Sequence, residues 1–150
     1  MKCKDLLKNL EYECVRGSVD VEVTEVVNDS RKVTAGCLFL CIVGANFDGH
    51  DAAPGAVEVG AKVLVVSKDI DLPADADVTV IKVADTRYAM AFISAAYFGN
   101  PADDMKIIGV TGTKGKTTAT YIVKSILENA GHKVGLVGTI EAIIGDKVIP

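Results

Sequence analysis

The stretch Val110-Thr-Gly-Thr-Lys-Gly-Lys-Thr-Thr118 decides how the chain is read, because it separates two segments of different periodicity. Before it, residues 106–110 (Lys-Ile-Ile-Gly-Val) predict a short buried strand. After it, Ala119, Ile122, Val123, Ile126, Leu127 and Ala130 recur at helical spacing and predict a helix that lays one face on a sheet. A glycine loop between a strand and a helix start makes a phosphate site. The first N–H groups of a helix have no partner within it, and the helix dipole adds partial positive charge there. Gly112 and Gly115 let the backbone curl with its amides inward, which side chains at those positions would hinder. Lys116 reaches the terminal phosphates of a bound nucleotide, and the Thr117 hydroxyl is placed to ligate the accompanying Mg²⁺. The general pattern G-x-x-x-x-G-K-[ST] wants glycine where this chain has Val110. A loop that merely caps its helix is the competing reading; the order strand, loop, apolar-faced helix favours nucleotide.

The rest of the composition sets bounds. A chain of 150 residues fits one average domain or two small ones, and 49% hydrophobic content is enough for a real core. The net charge of −4, with no basic cluster, argues against nucleic acid as the main partner. No apolar run approaches the roughly 20 residues that span a bilayer, and Met1-Lys-Cys-Lys-Asp5 is unlike a signal peptide. No membrane association is therefore expected. Cys3, Cys14, Cys37 and Cys41 lack metal-ligand spacing, and the latter two lie in an apolar run as small core residues. A reducing, cytoplasmic compartment is the expected setting.

Taken in order, residues 5–10 predict a short helix, and Val19, Val21 and Val23 alternate as a half-buried strand would. The apolar run Cys37-Leu-Phe-Leu-Cys-Ile-Val43 predicts a strand, the loop Gly44-Ala-Asn-Phe-Asp-Gly-His50 follows, and a helix is expected over 52–60. Residues 62–66 and 78–83 predict buried strands flanking a solvated loop rich in aspartate. Asp85 is placed to N-cap a helix that ends at Gly99-Asn-Pro101. Beyond the phosphate loop, Gly131 predicts a helix C-cap, residues 133–137 a second parallel strand, and residues 143–148 a hairpin turned at Gly-Asp. His50 reads as a surface loop residue without a partner acid, and His132 as a solvated helix end.

With these segments in view, the sequence resembles the Mur ligase family over essentially its whole length. Residues 108–118 resemble the family's ATP loop, in which the first glycine of the general motif is commonly replaced; the family usually has Asn at the position of Lys114. Asp29-Ser-Arg-Lys-Val33 with Gly36-Cys-Leu-Phe39, and residues 44–50, resemble the uridine-nucleotide domain shared by two branches. One branch adds a diamino acid and the other acts later. Gly135-Leu-Val-Gly-Thr-Ile140 is closer to the diamino-acid-adding branch.

The resemblance implies an α/β architecture in two parts. Residues 1–101 would be a small uridine-nucleotide-binding domain, and 102–150 the β-loop-α-β start of a P-loop ATP-binding central domain. It further implies an ADP-forming amide ligase of peptidoglycan precursor synthesis, using ATP and Mg²⁺ to join a diamino acid to UDP-MurNAc-L-Ala-D-Glu through an acyl phosphate. The uridine site would use Asn28, Ser30, Ala45, Asn46 and Phe47, with Phe47 packing on a ring face. Lys116 would act on the transferring phosphate, Thr117 would hold Mg²⁺, and Gly112, Thr113, Lys114, Gly115 and Thr118 would supply amides and hydroxyls to the ATP phosphates. A chain of this length lacks the further strands, the Mg²⁺-binding Glu and the amino-acid domain of that family, so an N-terminal portion, inactive alone, is the expectation. The bland reading of Asn28-Asp29-Ser30 is a turn whose side chains bond the local backbone, with Arg31 paired to Asp29. Beside the ligase stand three alternatives: the later-acting branch, a polyglutamate-type ligase, and a non-catalytic module that senses nucleotide.

Overall fold

A computed structural model of the chain describes residues 1–149. It divides into two compact units, Met1–Met105 and a second beginning at Lys106. Among the described residues no helix is long and apolar enough to cross a membrane.

The first unit is a five-stranded sheet with helices on both faces. Its strands are β1 (Glu13–Arg16), β2 (Val26–Val27), β3 (Leu38–Leu40), β4 (Val63–Val66) and β5 (Thr79–Lys82), in spatial order β1-β5-β4-β3-β2. β2 to β5 run parallel, and β1 pairs antiparallel with β5 at the edge. A strand buried on both faces needs no polar alternation, which is why β3 and β4 read as continuous apolar runs. Leu38, Leu40, Val63 and Val65 face a core shared with α1 (Cys3–Leu6) and α3 (Thr86–Tyr97). Phe39, Leu64 and Val66 point the other way, toward Ala53 and Ala56 of α2 (Ala53–Val59). Cys37 and Cys41 belong to this second face, and burial pushes the Cys41 thiol up to about 12. Both are core residues.

Helix signals held where capping chemistry was explicit. Asp85 Oδ1 accepts from the N–H groups of Arg87 and Tyr88 at 2.7 and 3.2 Å, and Gly60 closes α2 with φ 107°. Two expectations at the N-terminus did not hold. The first helix is Cys3–Leu6 rather than residues 5–10. Val19, Val21 and Val23 form no strand, because their backbone bonds the N-terminal residues: Cys3 N–H donates to Val21 O and Lys4 N–H to Val19 O, both at 2.9 Å.

The second unit holds α4 (Lys116–Asn129) and an antiparallel sheet of β6 (Gly135–Val137), β7 (Ala142–Ile144) and β8 (Lys147–Ile149). The hairpin at Gly145-Asp146 is present as expected, with Ile144 opposite Lys147. Gly131, just past the helix, takes φ 86°. The expected parallel strand at 133–137 is instead antiparallel, paired to β7 through a tight turn in which Gly138 N–H donates to Glu141 O at 3.1 Å. Residues 106–110, expected as a buried strand, have no ladder partner among the described residues, and Ile107 is 71% exposed. The apolar face of α4 is only partly covered: Val123 and Leu127 are half-buried, while Ile122 and Ile126 stay exposed. Three strands of three residues offer too little surface to cover that helix.

Candidate functional site

In the first unit the parallel strands β2 to β5 deliver their following loops to one edge of the sheet. The carboxyl edge of an open α/β sheet is where such folds bind ligands. Residues 28–32 leave β2 there, residues 41–50 leave β3, and α3 starts there after β5. The first turns of α3 hold both candidate segments. Asn28 Nδ2 donates to Met90 Sδ at 3.4 Å, and the Arg87 guanidinium donates to Val43 O at 2.8 Å. Arg87 and Met90 are one turn apart, so Asn28 and the loop containing Ala45, Asn46 and Phe47 are tied to neighbouring points of one helix.

Ser30 opens a 3-10 turn, Ser30–Lys32, and is exposed. Asp29 Oδ1 accepts from the Arg31 N–H at 3.1 Å, and its two oxygens take the Arg31 guanidinium at 2.9 and 2.8 Å. The local turn reading of Asp29 is thus realised, and the Arg31 hydrogen bonds hold its carboxyl down at about 2. Ala45, Asn46 and Phe47 form the exposed tip of the second loop, with Phe47 57% exposed. Gly44 N–H donates to Phe47 O and Gly49 N–H to Ile42 O, both at 2.8 Å, which closes the base of the loop on itself. A Cβ on Gly49 would stand 2.7 Å from Ile42 N, so only glycine fits.

The surface reading of His50 is wrong. His50 is 3% exposed and has a partner acid two residues upstream, since His50 Nδ1 lies 2.6 Å from Asp48 Oδ1. The Ser67 N–H donates to His50 Nε2 at 3.0 Å, so Nε2 is the acceptor and the ring proton sits on Nδ1. Asp48 also takes the Lys68 ammonium at 2.7 Å and the His50 N–H at 2.9 Å. Lys68 first, then His50, hold the Asp48 carboxyl well below the usual carboxylate range. The signal available in the sequence was the Asp-x-His spacing, which suits an aspartate capping its own turn; Arg87, Met90 and Ser67 carried none.

In the second unit Gly112 and Gly115 both have positive φ, 147° and 77°, and Gly115 is the N-cap of α4 without any side-chain cap. Gly115 O accepts from Ala119 N–H at 2.9 Å, which starts the helix and leaves the N–H groups of its first turn for an incoming anion. A Cβ at Gly115 would meet nothing within 4 Å, so this glycine is present for its backbone geometry and not for space. Lys116 Nζ donates to Gly112 O at 2.6 Å, folding the ammonium back over the loop. Thr113, Lys114 and Thr118 are exposed around it, and Thr117 is half-buried in the first helical turn. The chain offers a metal one hydroxyl here, at Thr117. That donor set suits Mg²⁺, which keeps several waters and leans on substrate phosphates. One turn further on, the Tyr121 hydroxyl donates to Glu141 Oε1 at 2.5 Å and binds α4 to the start of β7.

A parallel sheet with its loops gathered at the carboxyl edge, followed by a glycine-lysine loop at a helix start, defines an α/β protein of the open-sheet class. Residues 22–98 match the Mur ligase family catalytic domain and residues 110–148 the Mur ligase middle domain, and the chain belongs to the Mur ligase family. It is 48% identical to the UDP-N-acetylmuramoyl-L-alanyl-D-glutamate–2,6-diaminopimelate ligase of Clostridium perfringens, over 99% of this chain and 30% of that one. The Clostridium botulinum protein of the same name is 51% identical over 96% of this chain and 30% of its own length. The chain therefore spans about 30% of these curated relatives. Among solved structures, MurF from Acinetobacter baumannii aligns with TM-score 0.56 at 28% identity, over 85% of this chain and 27% of that one. MurF from Thermotoga maritima, solved in complex with ADP, aligns with TM-score 0.51 at 27% identity, over 71% of this chain and 24% of that one. The resemblance to the family, and to its diamino-acid-adding branch, the MurE type, is borne out.

Proposed function

We propose that this chain carries the uridine site and the ATP phosphate loop of a MurE-type ligase of peptidoglycan precursor synthesis. In this reading residues 1–101 bind the nucleotide end of UDP-MurNAc-L-Ala-D-Glu, and residues 102–150 begin the ATP-binding domain. The observation that carries it is the loop from Gly112 to Lys116, where two positive-φ glycines and a folded-back ammonium precede an uncapped helix start. Asn28, Ser30, Ala45, Asn46 and Phe47 supply polar edges and one ring face to the uridine. Gly112, Thr113, Lys114, Gly115, Thr117 and Thr118 surround the ATP phosphates.

The chemistry asks little covalent work of these residues. A carboxylate resists amine attack until one oxygen becomes a good leaving group. ATP provides this by phosphorylating the D-Glu carboxylate, with ADP released, and the diamino acid then displaces phosphate from the acyl phosphate. Lys116 would neutralise charge on the transferring phosphoryl group, and Thr117 would hold Mg²⁺. The relatives' names favour 2,6-diaminopimelate over lysine as the added amino acid.

The test is phosphate release by a full-length parent enzyme. Release is expected only when the muramyl dipeptide nucleotide and the diamino acid are both present. Release indifferent to the muramyl nucleotide contradicts the ligase and favours a nucleotide sensor.

A further inference from the structure

We propose that His50 is a positioning residue for the uridine loop, a role that rests on the reading of residues 45–47 as part of the uridine site. At the tip of that loop Ala45, Asn46 and Phe47 are all exposed. What fixes it must act at its base. The base is closed by the two backbone bonds from Gly44 to Phe47 and from Gly49 to Ile42, each 2.8 Å, and these hold the loop only to itself.

Three side chains tie it to the elements around it, one to α3 and two to the end of β4. Arg87 reaches Val43 O at 2.8 Å on the ascending side. On the descending side Asp48 takes Lys68 Nζ at 2.7 Å, and the buried ring of His50 spans from Asp48 Oδ1 at 2.6 Å to the Ser67 N–H at 3.0 Å. Ser67 and Lys68 directly follow β4, the central strand, in which every residue is buried. His50 is the buried one of these ties. Its two nitrogens need opposite partners, a carboxylate for Nδ1–H and an N–H for Nε2, and the fold supplies both. The Ser67 hydroxyl lies 3.4 Å from the same Nε2. The arrangement is a strut between the end of the central, fully buried strand and Asp48, the residue next to Phe47. It fixes where the ring of Phe47 stands without touching a ligand.

The test compares His50→Ala and His50→Gln with wild type in the 150-residue chain. The glutamine amide overlaps the Nε2 position and keeps an acceptor for Ser67 N–H. Affinity for UDP is measured by calorimetry, thermal stability by its midpoint, and hydrogen exchange at single amides by NMR. His50→Ala is expected to weaken UDP by about tenfold, with His50→Gln restoring most of the loss. Faster exchange is expected at Gly44, Gly49 and Ser67, while β3 to β5 stay protected. UDP affinity unchanged in His50→Ala overturns the proposal, as does exchange rising equally across β3 to β5 with no rescue by glutamine. If wild type itself fails to bind UDP, the uridine reading falls instead. The exchange pattern then still decides whether His50 holds the loop.

Discussion

The ammonium of Lys116 donates to the carbonyl oxygen of Gly112 at 2.6 Å, closing residues 112–116 into a ring at the start of α4. A carbonyl is a neutral acceptor, and a phosphate oxygen is an ionised one that forms the stronger bond. On the proposed function, an entering triphosphate would take the ammonium over from Gly112.

Lys116→Ala is expected to weaken Mg·ATP binding by tenfold or more, since one charge-assisted bond is worth about 1.5–3 kcal/mol. Lys116 is exposed, so the thermal midpoint should not move. Calorimetry and a melting curve on the same sample check both halves. Equal affinity in the variant would remove Lys116 from the phosphate site.

Phe47→Ala tests the uridine loop. The ring is 57% exposed and supports nothing in the core, so stability should be unaffected. Base–aromatic stacking is worth about 1–3 kcal/mol, so the UDP dissociation constant should rise between roughly fivefold and a hundredfold. An unchanged constant would show that the loop binds no base.

Gly49→Ala and Gly55→Ala should move stability in opposite directions. A methyl at Gly49 meets Ile42 N at 2.7 Å and Ile42 O at 2.8 Å, and backbone cannot step aside. A loss of about 1–3 kcal/mol in urea unfolding is expected. A methyl at Gly55, inside α2, meets nothing within 4 Å and should stabilise by up to about 1 kcal/mol through helix propensity.

Acid should loosen the carboxyl edge of the first unit. Asp29 and Asp48 are both lowered by their hydrogen-bonded cations, Asp29 to about 2 and Asp48 well below the usual range. A lowered folded-state value means the unfolded chain binds protons first. Their stabilisation is therefore whole above the ordinary carboxylate value of about 4 and is lost as pH falls toward about 2 and below. The urea midpoint followed from pH 6 to pH 2 should drop less in Asp48→Asn than in wild type. Parallel curves would deny Asp48 that role.

Much of this was legible in the residues because the physics was local. Apolar runs at 37–43 and 62–66 announced strands covered on both faces, and Asp85 and Gly131 announced helix ends, since a cap depends on neighbours within a few positions. What failed depended on distant partners. β1 is short and mostly exposed, so it carries no apolar signal, and its pairing with β5 joins residues far apart in the chain. Val19 and Val21 alternate like a strand, yet their carbonyls go to Cys3 and Lys4. The site was legible in part for the same reason. The Asp29–Arg31 turn lies within three residues, whereas Asn28 to Met90, Val43 to Arg87 and His50 to Ser67 are joined only by the fold.

The most direct measurement is the amide spectrum of the ¹⁵N-labelled chain during titration with Mg·ATP. The amides of Gly112 to Thr118 should shift together, saturating with one dissociation constant, and the same titration of Lys116→Ala should leave them nearly still. Shifts scattered away from residues 112–118, or an identical response in the variant, would contradict the assignment of this loop as the triphosphate cradle.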